Sequence, residues 1–332
     1  MQKIQFKKRK LPGTDIEVSP IGLGVWQFAG GHGINKFIFN KEIPEDERIG
    51  MVKAALDGGI NWFDTAEAYG GGRSEKNLAA ALQALGKKDE EIKIATKWFP
   101  APRFAGNIKK TIKNRMAALE PYSIDLYQIH QPFSFSTTKA QMNAMADLVE
   151  AGKIRSVGVS NFKKKKMIRA YDALKDRGLT LVSNQMHYSL LHRDIEKNGV
   201  LEAAKELGMK IICWGPLEQG TLTGKYHKDP KLLKNLTFIR RRFVPNIQKK
   251  AKKSKTLMEV MEKMAADYNA TPSQVAVNWL INFHGETVLA IPGASKVRHV
   301  EQNVGTLTFK LTQDEMDKLD ELSRPLNKMK PA

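Results

Sequence analysis

The chain is poor in cysteine, in acidic side chains and in long apolar runs, and each shortage excludes a class of protein. Its one cysteine, Cys213, excludes an internal disulfide, as is usual in a reducing cytosol. No apolar run approaches the roughly 18 residues that a membrane-spanning helix needs. The basic residues 1–10 are not followed by the apolar core of a signal peptide. We therefore expect a soluble, cytoplasmic protein.

Acidic residues are outnumbered, because 54 Lys and Arg face 35 Asp and Glu and give a net charge of +19. Such an excess can attract nucleic acid or an anionic membrane surface. The densest basic run, residues 240–255, contains no acid, and residues 163–166 are four consecutive lysines. Neither run accompanies a nucleic-acid-binding motif. We predict solvated helix faces with non-specific anion attraction and no specific nucleic-acid partner, and the role of residues 240–255 stays open.

Short apolar segments alternate with amphipathic helical patterns along nearly the whole chain. The predicted strands are residues 21–24, 62–64, 92–97, 125–130, 156–160, 181–185, 210–214 and 288–291. The predicted helices are residues 45–57, 74–85, 107–119, 138–150, 163–177, 198–207, 256–268 and 273–281. Eight strands with helices between them indicate an α/β fold of the (β/α)8 TIM-barrel type. An open doubly wound sheet is the alternative, but Gly22-Leu23-Gly24 lacks the third glycine of the dinucleotide fingerprint.

Two further elements flank the predicted barrel. Residues 4–9 and 16–18 surround a Pro12-Gly13 turn and predict an N-terminal β-hairpin, placed to plug the bottom of the barrel. Thr312, with Glu315 three residues later, is a capping-box signature for a helix over residues 312–322. No linker-like composition interrupts the chain. We predict one domain over residues 1–332, with the hairpin at 1–19, the barrel at 20–310 and the C-terminal helix and tail at 311–332.

Four polar residues lie at or just after predicted strand ends, which meet at the catalytic mouth of such a barrel. They are Asp64, Tyr69 in the following loop, Lys97 and His130. Taken singly, each has an ordinary structural explanation, such as a strand cap or a packed aromatic. Together at successive strand ends they are hard to explain by core packing, because burying polar groups without partners is costly.

These side-chain types suit the protonation of a carbonyl group. A lysine ammonium held by a carboxylate favours the phenolate of a neighbouring tyrosine and is expected to lower its pKa. A general acid works best when its pKa approaches the working pH. Histidine beside the same oxygen can orient a carbonyl, while a cofactor delivers hydride. A Schiff-base aldolase that uses Lys97 is an alternative for the same residues.

At this point the sequence resembles the aldo-keto reductases over nearly its whole length, about residues 11–322. Asp64, Tyr69, Lys97 and His130 match the catalytic tetrad of that family position by position. Other matching motifs follow in order along the chain: residues 59–66, 72–75, 158–162, 184–185, 214–217, 220–225 and 291–294. The resemblance implies NADPH-dependent reduction of aldehydes or ketones, with Tyr69 as proton donor and a small carbonyl compound as substrate.

The resemblance also implies where the cofactor binds. Ser160, Asn161 and Gln185 are expected at the nicotinamide carboxamide, with Trp214 stacked on the ring. The pyrophosphate contacts would come from Gly215, Pro216, Leu217, Gln219, Gly220 and Lys225. Those of the adenosine end would come from Gly293, Ser295, Lys296, Gln302 and Asn303. Gly24 and Trp26 would line the first loop, and the cationic side chain of Lys296, near Arg298 and His299, favours NADPH, with NADH possible.

Two departures from the family pattern stand out. Gly215 occupies a position where many members have serine, so a hydroxyl is missing at one pyrophosphate contact. Residues 226–255 are unusually basic and have no clear family counterpart. His32, His187 and His192 lack metal-ligand spacing and receive no role beyond the substrate pocket, and no metal is expected.

The sequence predicts the reaction class more narrowly than it predicts the substrate or the biological role. Aromatic residues near the expected mouth predict an apolar substrate pocket; they are Trp26, Phe28, Trp98, Phe99 and Phe133. The Trp-led motif at 214–217 also resembles potassium-channel β subunits, which bind the cofactor and turn over slowly. Those proteins lack the tetrad histidine, so His130 favours an active enzyme here. An oligomer remains open.

Overall fold

The computed structural model describes residues 6–31, 42–234 and 247–328. A short antiparallel hairpin, β1 (Arg9–Lys10) with β2 (Glu17–Val18), precedes one parallel sheet of eight strands in chain order. These strands are β3 (Leu23–Gly24), β4 (Trp62–Asp64), β5 (Lys93–Trp98), β6 (Leu126–Ile129), β7 (Val157–Ser160), β8 (Leu181–His187), β9 (Lys210–Trp214) and β10 (Val288–Ala290). Parallel bridges Ile21–Ala290 and Gly24–Gly293 join the first strand to the last. The sheet therefore closes, which confirms the predicted (β/α)8 barrel.

Helices surround the barrel and connect its strands. In chain order they are α1 (Glu45–Asp57), α2 (Arg73–Ala84), α3 (Gly106–Leu119), α4 (Thr138–Glu150), α5 (Lys164–Lys175), α6 (Asp194–Lys197), α7 (Val200–Glu206), α8 (Lys225–Lys228), α9 (Lys231–Lys234), α10 (Ile247–Lys253), α11 (Lys255–Asp267), α12 (Pro272–Asn282), α13 (Val297–Gly305) and α14 (Gln313–Ser323). Within the described ranges, no helix combines the length and apolar character needed to cross a membrane. The main apolar core lies between the strands and the helices.

The N-terminal hairpin closes the lower end of the barrel, as its position predicts. Leu11, Ile16 and Val18 form an apolar cluster with inward-facing strand residues such as Leu126 and Ile212. The buried guanidinium of Arg9 donates to the backbone oxygens of β10 and of the end of α12. One end of the barrel is thus blocked by apolar packing, which leaves the opposite mouth for chemistry.

Several boundaries differ from the sequence predictions. The first hairpin strand covers only Arg9–Lys10, and residues 4 and 5 lie outside the described part of the chain. The helix predicted over 198–207 is the shorter α7, which begins at Val200, and α6 precedes it as a separate helix because Gly199 adopts a left-handed φ of 76° between them. The strand predicted over 181–185 continues to His187. Of the basic run 240–255, residues 240–246 lie outside the described ranges, and α10 and the start of α11 form the rest.

The C-terminal helix α14 begins at its predicted cap and is attached to the barrel by a buried arginine. Thr312 and Glu315 form the reciprocal capping box. Arg193 is 1% exposed and donates to Ser323 Oγ at 2.7 Å and to Asp320 Oδ1 at 2.5 Å. Its guanidinium also lies 4.9 Å from the Trp279 ring centroid.

We expect Arg193→Met to lower the free energy of unfolding by about 3–5 kcal/mol, because it removes the buried guanidinium that pairs with Glu196 and Asp320, whose side chains are only 12% and 16% exposed. Chemical denaturation measures this change. The matched control is Lys139→Met, since Lys139 forms an exposed pair with Asp176 at 3.3 Å, and exposed pairs contribute less than about 1 kcal/mol. Equal losses in the two variants would contradict the assigned role of Arg193.

Candidate active site

Strand ends bring the four predicted catalytic side chains to the open mouth of the barrel. Asp64 is the last residue of β4, Lys97 the penultimate residue of β5, and His130 directly follows β6. Tyr69 lies in the loop after β4. The glycines that follow it, Gly70–Gly72 in sequence, all have positive φ values, which a residue with a side chain rarely adopts. They let the loop turn back so that Tyr69 faces the barrel axis.

A continuous hydrogen-bonded chain joins the carboxylate, the ammonium and the phenol. Lys97 Nζ donates to Asp64 Oδ1 at 2.5 Å, to the backbone oxygen of Thr65 at 2.8 Å and to Tyr69 Oη at 3.4 Å. The Lys97 side chain is fully buried. The other oxygen of Asp64 accepts from Gln185 Nε2 at 2.8 Å. All three ammonium hydrogens therefore have acceptors, and the lysine is held in one orientation.

The pKa of Tyr69 differs from the sequence-based expectation. Burial of the hydroxyl raises this pKa above its ordinary value, and the opposing charge and hydrogen bond of Lys97 do not overcome that effect. For Lys97, burial favours the neutral amine, but the charge of Asp64 and the contact with Tyr69 outweigh burial and raise the pKa. Tyr69 is thus a protonated phenol beside a charged ammonium at neutral pH.

His130 is a neutral imidazole at the same mouth. Burial is the larger cause and the charge of Lys97 the smaller one, and together they lower the pKa of His130 to about 3. Its ring meets the rings of Tyr69 and Phe99 edge to face, with both centroid distances 5.7 Å. Among the described residues, its Nδ1 has no hydrogen-bond partner. A neutral imidazole can give one N–H hydrogen bond to an oxygen without supplying charge.

Glu67 is a buried carboxylate of this site that the sequence reasoning missed. It accepts from the backbone N–H of Phe99 and from Arg103 Nη1, each at 2.6 Å, and from Arg115 Nη1 at 2.7 Å. Because Glu67 precedes Tyr69 by two residues, it connects the Tyr69 loop to the loop that carries Phe99. In the sequence, Glu67 is only an acidic residue in the loop that carries Tyr69. Nothing in the sequence distinguishes such a residue from a solvated loop acid.

Three residues predicted at the nicotinamide carboxamide lie together at the ends of β7 and β8. Ser160 Oγ donates to the backbone oxygen of Gln185 at 3.0 Å, and Asn161 Nδ2 donates to Ser160 Oγ at 3.0 Å. Asn161 has a left-handed φ of 61° and accepts at Oδ1 from Trp214 Nε1 at 3.2 Å. Gln185 Nε2 donates one N–H to Asp64, which fixes the orientation of the amide that is predicted to bind the carboxamide.

Trp214 is the first of three stacked rings. His187 lies parallel to it at a centroid distance of 4.2 Å, and His192 lies parallel to His187 at 3.9 Å. His187 Nε2 is 2.8 Å from Glu218 Oε1. Sequence reasoning gave these histidines no role beyond the substrate pocket; the alternation of β8, which places His187 on the same side as Gln185, is the signal that was available.

The segment after β9 forms an irregular turn suited to a phosphate group. Gly215, Gln219, Gly220 and the residue before Gln219 all have left-handed φ values between 47° and 90°. Pro216 and Leu217 lie in the first part of the turn, and Leu217 accepts the N–H of Gly220 at 2.9 Å. The N–H groups of Glu218 and Gly220 donate to the backbone oxygens of Gly215 and Leu217, so the turn is fixed in shape by its own backbone hydrogen bonds. Lys225 begins α8 directly after this turn.

The predicted adenosine-end residues lie just before and along α13, a helix that the sequence analysis did not predict. Ser295 and Lys296 are exposed immediately before this helix, Gln302 is exposed near its end, and Asn303 is buried. Burial, with the charges of Arg298, Lys296 and Lys225, lowers the pKa of His299 in its first turn. A cationic cluster therefore lies beside the N-terminal end of α13.

The predicted first-loop residues lie beside the tetrad. Gly24 ends β3 and bridges to Gly293, and a Cβ at residue 24 would approach the oxygen of Ile291 to 3.1 Å. The Trp26 ring lies 5.8 Å from the Tyr69 ring. The backbones of the first and last strands therefore pack closely at this side of the mouth.

Only part of the predicted substrate pocket is accessible. Phe99 and Phe133 pair at 6.3 Å beside His130, and Phe133 is 52% exposed. Phe28 and Trp98, in contrast, are 1% and 0% exposed and belong to the main core, so that part of the prediction is not supported by their positions. Trp98 follows Lys97 in β5, and strand alternation turns it outward, where its Nε1 donates to Asn107 Oδ1 of α3 at 3.0 Å.

A closed (β/α)8 barrel with a polar cluster at its C-terminal mouth is the arrangement typical of α/β-barrel enzymes. The family model described as the Aldo/keto reductase family matches residues 20–324. The chain belongs to the aldo/keto reductase family, whose members are oxidoreductases.

Relatives and solved structures agree with this assignment. An uncharacterized oxidoreductase of Mycobacterium tuberculosis (strain ATCC 25618 / H37Rv) is 36% identical over 309 residues, covering 93% of this chain and 90% of the relative. The chloroplastic pyridoxal reductase of Arabidopsis thaliana is 30% identical over 325 residues, covering 94% and 85%. The glycerol dehydrogenase structure from Gluconobacter oxydans is 29% identical with a TM-score of 0.79, covering 95% and 94%. An aldo/keto reductase of Klebsiella pneumoniae in complex with NADP and acetate is 25% identical with a TM-score of 0.67, covering 92% of each chain.

Proposed function

We propose that the protein reduces aldehydes or ketones to alcohols with NADPH, with Tyr69 as the proton donor. The observation that carries the proposal is the chain Asp64–Lys97–Tyr69, with Lys97 Nζ 3.4 Å from Tyr69 Oη at the open mouth of the barrel. The family membership and the NADP-bound Klebsiella pneumoniae structure support a nicotinamide cofactor.

The described residues fit such a cofactor. Trp214 offers a fixed aromatic ring, and Ser160 and Asn161 offer polar groups beside it. The left-handed turn after Gly215 suits a pyrophosphate, and Asn303 is buried with a side-chain nitrogen that has no partner among the described residues. When bound, the cofactor supplies the hydride that reduces the carbonyl carbon.

The chain's own residues supply the proton and the orientation. Tyr69 Oη, kept protonated by its raised pKa, gives its proton to the carbonyl oxygen as negative charge develops there. The Lys97 ammonium stabilises the resulting phenolate, and Asp64 keeps that ammonium charged and in place. His130, being neutral, orients the carbonyl through one ring N–H and leaves proton donation to Tyr69. Proton donation and charge stabilisation are therefore assigned to different side chains.

We assign cofactor preference to the cationic cluster at α13, because a 2′-phosphate distinguishes NADPH from NADH. We expect the double variant Lys296→Ala/Arg298→Ala to raise the Kd for NADPH by roughly 10- to 100-fold, since charge-assisted hydrogen bonds contribute about 1.5–3 kcal/mol. The Kd for NADH should change by less than about threefold in the same variant, because NADH lacks the phosphate. Fluorescence titration measures both constants.

The control for general charge loss is Lys252→Ala, since Lys252 is an exposed residue of the basic helix α10. Neither constant should change in this variant beyond about twofold, because exposed charges are largely screened. Equal losses of NADPH and NADH affinity in the double variant would show that Lys296 and Arg298 do not bind the 2′-phosphate.

The rim of the mouth favours substrates with an apolar group beside the carbonyl. Trp26, Phe99 and Phe133 form aromatic walls around Tyr69 and His130. The likeness to a pyridoxal reductase points to the same kind of substrate, an aromatic aldehyde.

A panel of aldehydes and ketones with NADPH and NADH in parallel tests the proposed activity. Expected is NADPH oxidation, fastest with aromatic aldehydes. Absence of turnover with every carbonyl, despite saturable NADPH binding, would instead support a slow regulatory cofactor-binding protein.

A further inference from the structure

We propose that His187 sets the relative affinity of the site for oxidised and reduced nicotinamide cofactor, acting through Trp214. The inference rests on the proposed function, since it requires the nicotinamide ring to stack on the Trp214 face opposite His187. His187 lies behind the tryptophan and takes no part in the reaction itself.

The position of His187 behind Trp214 is fixed from several sides. The two rings are 11° from parallel with centroids 4.2 Å apart, and His192 covers the far face of His187 at 3.9 Å. The indole edge is held by Asn161 at 3.2 Å. Any charge on His187 therefore acts across the thickness of a single indole ring.

Glu218 gives His187 a permanent anionic partner. Its carboxylate is 4% exposed and lies 2.8 Å from His187 Nε2, while accepting hydrogen bonds from Ser189 and Lys250 at 2.7 Å each. Burial opposes ionisation of Glu218, but the contacts of His187 and Lys250 overcome it and lower the pKa of Glu218 to about 2. Glu218 is therefore a carboxylate at every working pH, placed to pair with an imidazolium.

Gly215 leaves the room that His187 occupies. A Cβ on residue 215 would lie 3.0 Å from His187 Cδ2 and Nε2, and residue 215 has a φ of 67°. A side chain at residue 215 would therefore compete with the imidazole of His187 for the same space.

The same side chains do not form a metal site. Ligand atoms of His187, His192 and Glu218 lie within 4.8 Å of one another. The two imidazoles, however, are stacked within 17° of parallel, so one ion cannot lie near both ring planes as imidazole lone pairs require. Glu218 is moreover already paired with Lys250.

Four charged or titratable groups surround His187, either in direct contact or through one neighbour. His192 faces it from the loop after β8, and burial followed by the charge of His187 lowers the pKa of His192 to about 4. The other charged groups are Glu218, Lys250 and, 3.8 Å from His192, Asp194. Imidazole is the side-chain type whose charge changes between about pH 6 and pH 8, so the test varies the pH over that range.

The direction in which pH should change the relative affinity for the two cofactor forms follows from the charge of the nicotinamide ring. This ring is positive when oxidised and neutral when reduced. Protonation of His187 places a second positive charge roughly 8 Å from that ring, and such a pair changes an equilibrium by roughly tenfold at the effective dielectric of a partly buried site. Protonated His187 therefore weakens NADP⁺ binding relative to NADPH. Release of the oxidised product is favoured as the pH falls.

The test measures Kd for NADP⁺ and for NADPH on the full chain at about pH 6 and about pH 8. The ratio Kd(NADP⁺)/Kd(NADPH) removes every effect common to both forms, including titration of the 2′-phosphate. In the wild type this ratio should rise roughly tenfold from the higher to the lower pH. His187→Gln, which cannot become charged, should give a flat ratio, whereas His192→Gln should keep the rise.

If His187 had only a structural role, His187→Gln would weaken the binding of NADP⁺ and of NADPH equally at both pH values. The ratio of the two Kd values would then rise at low pH as it does in the wild type. A flat ratio in the wild type, or a rise that persists in His187→Gln, overturns the inference while saturable binding of both forms leaves the proposed function standing. Absence of saturable binding of either form would overturn both. Should His187→Gln fail to fold, Gly215→Ser, whose Cβ displaces the imidazole, is expected to diminish the rise.

Discussion

Replacing Tyr69 by phenylalanine should reduce kcat for carbonyl reduction by roughly 100- to 10,000-fold, the usual contribution of a positioned general acid. The substitution removes the hydroxyl that accepts from Lys97 and leaves the ring that packs beside Trp26 and His130. The Kd for NADPH should stay within about twofold, because the residues proposed to contact the cofactor lie on other strands. Steady-state rates and fluorescence titration measure the two effects.

The matched control is Tyr127→Phe. Tyr127 is fully buried in the core, and its hydroxyl has no hydrogen-bond partner among the described residues. This variant should keep kcat within about threefold, since only a buried hydroxyl is lost and the mouth is unchanged. Near-normal turnover in Tyr69→Phe would require another proton donor, which the neutral state of His130 does not provide.

Lys97→Met is expected to reduce both activity and stability. Loss of the ammonium leaves the phenolate of Tyr69 without its cation and should lower kcat by at least about 100-fold. It also leaves Asp64, only 2% exposed, as an uncompensated buried charge. The free energy of unfolding should therefore fall by about 3–5 kcal/mol, as measured by chemical denaturation.

Adding Asp64→Asn to Lys97→Met separates the two roles. The double variant removes both charges, so most of the lost stability should return, while activity should stay low. Lys110→Met, at an exposed position of α3, is the control and should change stability by less than about 0.5 kcal/mol. Recovery of turnover together with stability would show that the ammonium acts only by supporting the fold.

The barrel and its tetrad were predictable because both depend on local patterns. Apolar runs set the strands, and the polar residues that follow them meet at one mouth in any closed parallel barrel. Asp64 and Trp214 indeed end strands with the predicted bounds. The Thr312 cap was equally local, since its partner lies three residues away.

The parts that could not be predicted depend on contacts between distant segments. Whether Trp98 faced the mouth or α3 required the register of β5, which composition does not reveal. Predicting the raised pKa of Tyr69 required the relative size of two opposing effects, because burial raises this pKa and the charge of Lys97 lowers it. The grouping of His187 with Glu218 joins residues 31 positions apart, and no spacing rule relates them.

Hydride transfer from bound NADPH to a carbonyl carbon, with the proton from Tyr69, is the central claim. The most direct measurement uses NADPH that carries deuterium at the transferable C4 position, an aromatic aldehyde, and mass spectrometry of the alcohol formed. The deuterium should appear on the carbinol carbon of the product, with no label lost to water. An unlabelled alcohol, or deuterium recovered in the solvent, would contradict direct transfer at this site.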